Sequence, residues 1–157
     1  IANRKIILID FKLNTLKESD LKRIRPAGNP TTIVPFLIVK NGVQAVTFYT
    51  NAFGAKELAR YERPEGKLTS RMVIDDAEFC VGDEEPEFDH LSPYTIGGTA
   101  VRIVLTVPNP ESVFSNAVEA GAIQICPVTT EEFWKIGKLK DPFGHIWEIG
   151  HPLNGAS

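Results

Sequence analysis

The sequence is poor in the residues that most often announce a chemistry. It has two cysteines, Cys80 and Cys126, and three histidines in 157 residues. The cysteines lie far apart, each inside an apolar run, so they are expected to be reduced, buried thiols rather than a disulfide or a metal pair. No apolar run approaches the length that crosses a bilayer, and the first residues lack a signal-peptide pattern. No membrane partner is expected, and the expected location is cytoplasmic. The chain starts at Ile1 rather than Met, so its true start is expected upstream. Excess positive charge is missing as well: a net charge of -3 and a pI near 5.6 argue against a nucleic-acid partner. Neither a glycine-rich phosphate loop nor a serine on a nucleophile elbow is present.

What is present is enough apolar sequence for one domain with a real core. Charge is spread unevenly along it. Residues 1–30 hold seven Lys/Arg against three Asp/Glu, a net +4, which leaves -7 for the rest of a chain whose total is -3. A short strand is expected at 6–11 and a weakly amphipathic helix at 15–24. Arg25-Pro-Ala-Gly-Asn-Pro30 follows as a linker. Such a basic arm either packs on an acidic body, its own or a second subunit's, or is simply solvated.

From residue 31 the chain repeats itself. Residues 33–39 predict a strand, Asn41 an N-cap with Gln44 three positions on, and Ala45, Val46, Tyr49, Ala52 and Phe53 an apolar helical stripe that Gly54 ends. A shift of 68 residues finds a strand at 101–107, an N-cap at Asn109 with Pro110 at the first helical position, and a stripe through Val113, Phe114, Ala117 and Ala120 stopping at Gly121. Three strand-like runs follow each helix, at 55–63, 67–75 and 78–82, then at 123–128, 132–138 and 144–151. The pattern is β-α-β-β-β twice, an α+β fold. The modules cover about 31–82 and 100–152 of a domain at 31–152, with a tail at 153–157. The acidic connection 83–98 is expected over a pocket mouth.

The last strand carries the oddest residue. Asp141-Pro-Phe-Gly144 is a turn, because Asp can bond its own backbone and Gly can take positive φ. The run His145-Ile-Trp-Glu-Ile-Gly-His151 then alternates as a strand, with Glu148 on one face and Trp147 on the core face. A buried carboxylate needs a partner, a metal or a proton.

This D-P-F-G-H-x-W-E run and the F-Y-x-x-x-F-G-A run at Phe48 to Ala55 resemble the vicinal oxygen chelate superfamily of glyoxalases, bleomycin-resistance proteins and dioxygenases, and most of all its PhnB-like branch. The resemblance implies two modules curled into a half-barrel, helices outside, with a concave cavity commonly completed by a homodimer. It also implies four inward metal ligands, one of them at Glu148. The other three fall at Val34, Arg102 and near Thr69, none of which is a good divalent-metal ligand. No cofactor is therefore expected, although the family allows a divalent metal.

An inward guanidinium near an inward carboxylate suggests that Arg102 and Glu148 pair where the family holds metal. The other arrangement leaves Arg102 in solvent and Glu148 on water or Tyr94. Strand alternation puts Phe36 and Ile38 with Val34, Arg71 and Val73 with Thr69, and Val104 and Thr106 with Arg102. Together with Tyr94 and Trp134, residues Phe36, Thr69, Arg71 and Arg102 are the candidate ligand-binding set, and Glu148 is the candidate catalytic carboxylate. Acid-base catalysis by Glu148 requires a carboxyl that holds a proton, and a facing guanidinium opposes that. The expected function is metal-free binding of a small, partly aromatic or polycyclic compound, as in bleomycin-resistance proteins. The alternative is a metal-dependent lyase, isomerase or dioxygenase.

Overall fold

The computed structural model describes residues 31–153. The strand, helix and linker expected within 1–30, and residues 154–157 of the tail, lie outside the described residues. In chain order the elements are β1 (Phe36–Val39), α1 (Gly42–Phe53), β2 (Lys56–Glu62), β3 (Leu68–Ile74), β4 (Ala77–Asp83) and α2 (Pro93–Ile96). The second half continues with β5 (Arg102–Thr106), α3 (Pro110–Glu119), β6 (Ile123–Thr130), β7 (Trp134–Lys140) and β8 (Ile146–Pro152). The strands form two open four-stranded sheets, ordered β1-β4-β3-β2 and β5-β8-β7-β6. In each, the first strand runs parallel to the last and the other neighbours are antiparallel. The β-α-β-β-β pattern thus occurs twice, as the repeat requires.

The signals that start and stop the helices act as expected. Asn41 Oδ1 accepts the amide of Gln44, and Asn109 Oδ1 accepts that of Ser112. Gly54 takes the left-handed conformation, φ 66°, and closes α1 with bonds to the last free carbonyls. Ala45, Val46, Tyr49, Ala52 and Phe53 are all buried. Two expectations need correction. The first strand begins at Phe36 rather than 33, because Pro35 has no N–H for the ladder and Ile33 stands in solvent. Cys126 is exposed and Cys80 only half-buried. The apolar run around Cys126 lies on β6, an edge strand whose register slips at that residue, so it does not enter the core.

The 68-residue repeat extends to the last strands and explains a coupled pair of differences between the modules. Phe79 and Val81 on β4 match Trp147 and Ile149 on β8, and all four are buried. Asp83 then matches His151, and Gly42 matches Pro110. Buried Asp83 accepts the Gly42 amide through Oδ1 and the Leu68 amide through Oδ2, each at 2.8 Å. A Cβ on Gly42 would lie 2.6 Å from Asp83 Oδ2, so the helix start must be glycine to come this close. Pro110 has no N–H to satisfy, and the residue in the place of Asp83 is free to be histidine. His151 instead donates from Nδ1 to the Val107 carbonyl, 3.0 Å away.

One carboxylate ties the modules together. Asp141, wholly buried, accepts the Phe143 and His145 amides at Oδ1, both at 2.9 Å. Its Oδ2 accepts the Tyr49 hydroxyl at 2.7 Å and the Trp147 indole N–H at 3.0 Å. Tyr49 belongs to the first module and Trp147 to the second, so the turn that aims β8 is fastened to α1. Aromatic packing surrounds the joint: Phe53 and Trp147 have ring centroids 4.6 Å apart, and Phe79 and Trp147 6.1 Å. Nearby, His145 donates from Nε2 to the Ile38 carbonyl at 2.9 Å, a second link between modules.

The connection at 84–98 is pinned by its own acids. Glu84 accepts the Ser92 amide and the Thr95 hydroxyl at the start of α2, and these bonds, the hydroxyl first, lower its pKa. Glu85 pairs with Arg63, whose hydrogen bond is the main reason its pKa is lowered. Pro93 sits against Gly144, where φ is 94° and a Cβ would come within 2.8 Å of the proline.

Two stability predictions follow. Asp83→Ala strands two buried amides and is expected to cost about 2–4 kcal/mol in urea unfolding. Burial first, and then the charge of Asp141, raise the Tyr49 pKa well above its usual value near 10. A raised folded pKa means stability is full below about pH 10 and is lost as pH climbs toward the folded value. Tyr49→Phe should remove that alkaline loss while weakening the protein by roughly 1–2 kcal/mol at neutral pH; an unchanged alkaline slope in the variant would contradict this assignment.

Candidate functional site

The face of the second sheet that carries Glu148 is set by register. Arg102, Ile146 and Lys140 form one cross-strand row, Val104, Glu148 and Lys138 the next, and Thr106, Gly150 and Ile136 a third. Alternation turns Trp147, Ile149, Leu105 and Leu139 to the opposite face, where they are buried in the core with residues of α1 and α3. The Glu148 face is therefore the helix-free one.

Glu148 meets two cations there. Its Oε1 accepts a bond from Arg102 Nη1 at 2.7 Å and lies 3.2 Å from Lys138 Nζ. The Arg102 contact is one charge-assisted bond rather than a bidentate fork. The Glu148 side chain is 13% exposed, that of Arg102 62% and that of Lys138 32%. The carboxylate is thus the sheltered member, and the guanidinium reaches into water. Tyr94 takes no part; it stands on α2, its ring near the Gly144 turn.

Lys138 was not anticipated from the sequence, yet the signal was there. β7 and β8 form an antiparallel pair around the Asp141 turn, and counting outward from that turn pairs Lys138 with Glu148. Glu148 drew attention as a lone acid in a strand, whereas a lysine on a strand looks like ordinary solvated surface.

The corresponding face of the first sheet has a different character. The repeat puts Cys80 where the second module has Glu148, and Cys80 pairs with Phe36 on one side and Arg71 on the other. Burial raises the Cys80 thiol pKa, with Arg71 opposing, so it is not an activated nucleophile. Arg71 binds Glu78, Nε to Oε2 at 2.7 Å, so its charge is matched within the sheet. Phe36 lies over Gly82: a Cβ there would be 2.8 Å from the ring and 3.4 Å from Thr69 Oγ1. Phe36 and Thr69 thus come together, with the phenyl ring half-exposed and the threonine buried. Trp134 shares the face of Lys138, two rows along β7 and opposite Pro152.

Among the described residues, metal ligands do not assemble around Glu148. Its neighbours are two cations, hydrocarbon side chains and Gly150, and Val34 lies in the segment before β1. Among the described residues no three His, Cys, Asp or Glu side chains group closely enough to hold a metal ion. This donor set does not fit a divalent cation.

The Arg102–Glu148 bond should contribute little to folding, because the guanidinium is largely in water. A double-mutant cycle with Arg102→Ala and Glu148→Ala in urea should give a coupling below about 1 kcal/mol. A coupling of several kcal/mol would mean that the pair is a structural element and not an exposed site.

The sequence pattern of the glyoxalase/bleomycin resistance protein/dioxygenase superfamily matches residues 30–149. An uncharacterized protein of Mycobacterium bovis is 34% identical over 125 residues, covering 76% of this chain and 82% of that one. The X-ray structure of an Arabidopsis thaliana gene product superposes with a TM-score of 0.59 at 28% identity, covering 76% of this chain and 98% of the other. The fosfomycin resistance protein FosX of Listeria monocytogenes, crystallised with Mn(II) and sulfate, shares the fold with a TM-score of 0.61. It does so at 15% identity, over 81% of this chain and 96% of its own. With its duplicated modules, its two open sheets and a sequence match across both, the chain belongs to the glyoxalase/bleomycin resistance protein/dioxygenase superfamily.

Proposed function

We propose that this chain binds a small organic molecule without metal, as a sequestering protein of the glyoxalase/bleomycin-resistance type nearest the PhnB-like branch. The observation that carries the reading is the pairing of Glu148: its Oε1 is bonded to Arg102 and close to Lys138, so two cations stand where a metal would sit. An ion entering there would meet the repulsion of two cations and have to find further ligands among valine, isoleucine and glycine. Phe36, Tyr61 and Val104, each about half-exposed on the helix-free faces, supply apolar surface for an aromatic or polycyclic ligand. Thr69, Arg71, Tyr94 and Trp134 complete the proposed set. Apolar surface of this kind also supports a homodimer in which a second copy covers these faces. The free thiols at Cys80 and Cys126 support a cytoplasmic location.

The competing reading, a metal-dependent lyase, isomerase or dioxygenase, draws on the Mn(II) complex of the Listeria protein. It requires a metal ion to sit beside Arg102 and Lys138 or to displace them from Glu148. Elemental analysis of the purified protein, before and after incubation with Ni, Zn, Mn and Fe, separates the two. Far less than one metal per chain is expected under every condition. Near-stoichiometric metal that is lost in Glu148→Ala would overturn the binding-protein reading and favour the enzyme.

A further inference from the structure

Glu148 is outnumbered on its own face. It is the one acidic residue on the four strands of the second sheet. Register places Arg102 and Lys140 in one row and Lys138 in the next, so three basic residues surround one carboxylate. Lys135, the other lysine of β7, alternates to the opposite face and pairs with Glu111. The helix-free face therefore carries an excess of positive charge, although residues 31–157 as a whole carry -7 against +4 in residues 1–30. The first sheet shows no such excess at the matching place, since Cys80 replaces Glu148 and Arg71 is matched by Glu78.

The geometry leaves donors to spare. A guanidinium has five N–H groups, and Arg102 directs one to Glu148 while most of its side chain is in water. The Lys138 ammonium has three, with Glu148 taking the same oxygen as for Arg102. A single sheltered carboxylate oxygen thus holds a guanidinium and an ammonium side by side. Two cations fixed at this spacing are well suited to the oxygens of one anionic group. Val104, exposed between Arg102 and Thr106 on β5, adds an apolar neighbour for the ligand's carbon body.

We propose that Arg102 and Lys138, supported by Lys140, form a subsite for the oxyanion group, carboxylate or phosphonate, of a small organic ligand, and that Glu148 is a positioning residue that holds the two donors together. This rests on the reading that a ligand binds the helix-free face, and adds its chemical class. Glu148 is then neither base nor metal ligand; it organises the cations that recognise the ligand.

The test uses the full chain and four probes: benzoate, phenylphosphonate, the neutral isostere benzamide, and inorganic phosphate. Titrations are followed by calorimetry and by the Arg102 Nε–H resonance. Benzoate and phenylphosphonate should bind about tenfold tighter than benzamide, a difference near 1.4 kcal/mol. The preference should shrink as salt is raised and vanish in Arg102→Gln and Lys138→Gln, while Lys135→Gln keeps it. Glu148→Gln separates positioning from bulk charge: it makes the face more positive, yet should weaken phenylphosphonate several-fold. Tighter phenylphosphonate binding in that variant would remove the positioning role. Benzamide binding as well as benzoate would overturn the oxyanion subsite while leaving small-molecule binding in place. No movement of the Arg102 resonance with phosphate or phenylphosphonate up to about 10 mM would overturn the subsite as well. In that case, tryptophan fluorescence quenched by a neutral polycyclic probe would show that the broader binding reading survives.

Discussion

The structure turns on the buried carboxylate of Asp141. Four donors converge on it: two amides of its own turn, the Tyr49 hydroxyl of α1 and the Trp147 indole of β8. A buried, unpaired carboxylate is costly, and a fully bonded one fixes geometry in return. Because Trp147 precedes Glu148 on β8, fastening its ring to Asp141 fixes which face Glu148 takes. Alternation then leaves no choice: with Trp147 held in the core, Glu148 must face the helix-free side. The joint between modules thus also aims the site.

From that placement the electrostatics follow. A carboxylate on a half-sheltered strand needs a counter-charge, and the neighbouring strands supply two, Arg102 on β5 and Lys138 on β7. Where a superfamily enzyme would gather several anionic or imidazole ligands about a dication, this chain sets cations about one anion. The sign of the site is inverted. On the proposed reading such a site takes an oxyanion rather than a metal, and the first sheet, with Arg71 matched by Glu78, Phe36 over Gly82 and Cys80 in the place of Glu148, offers a different surface for the rest of a ligand.

Much of this was legible in the sequence because it rests on local rules. Asn41 and Asn109 announce two helix starts, Gly54 announces a stop, and the 68-residue shift announces the architecture. The partnership of Arg102 and Glu148 was readable by the same shift, and the core role of Trp147 by alternation. The less legible parts depend on contacts between distant segments. That Asp141 would serve Tyr49, 92 positions earlier, is a tertiary fact; the turn itself showed only the bonds to its own backbone. The apolar neighbours of Cys126 point to burial, and an edge strand with a slipped register overrides that pattern. That Tyr94 stands against the Gly144 turn is likewise a contact between distant segments.

The central claim is that protein cations, not a metal, satisfy Glu148. The most direct measurement is a crystal structure grown with excess Mn(II), with anomalous differences collected to locate the ion. No anomalous peak is expected at Glu148, and a guanidinium should lie within hydrogen-bond distance of its carboxylate. A strong peak on Glu148, with Arg102 and Lys138 swung away, would contradict it.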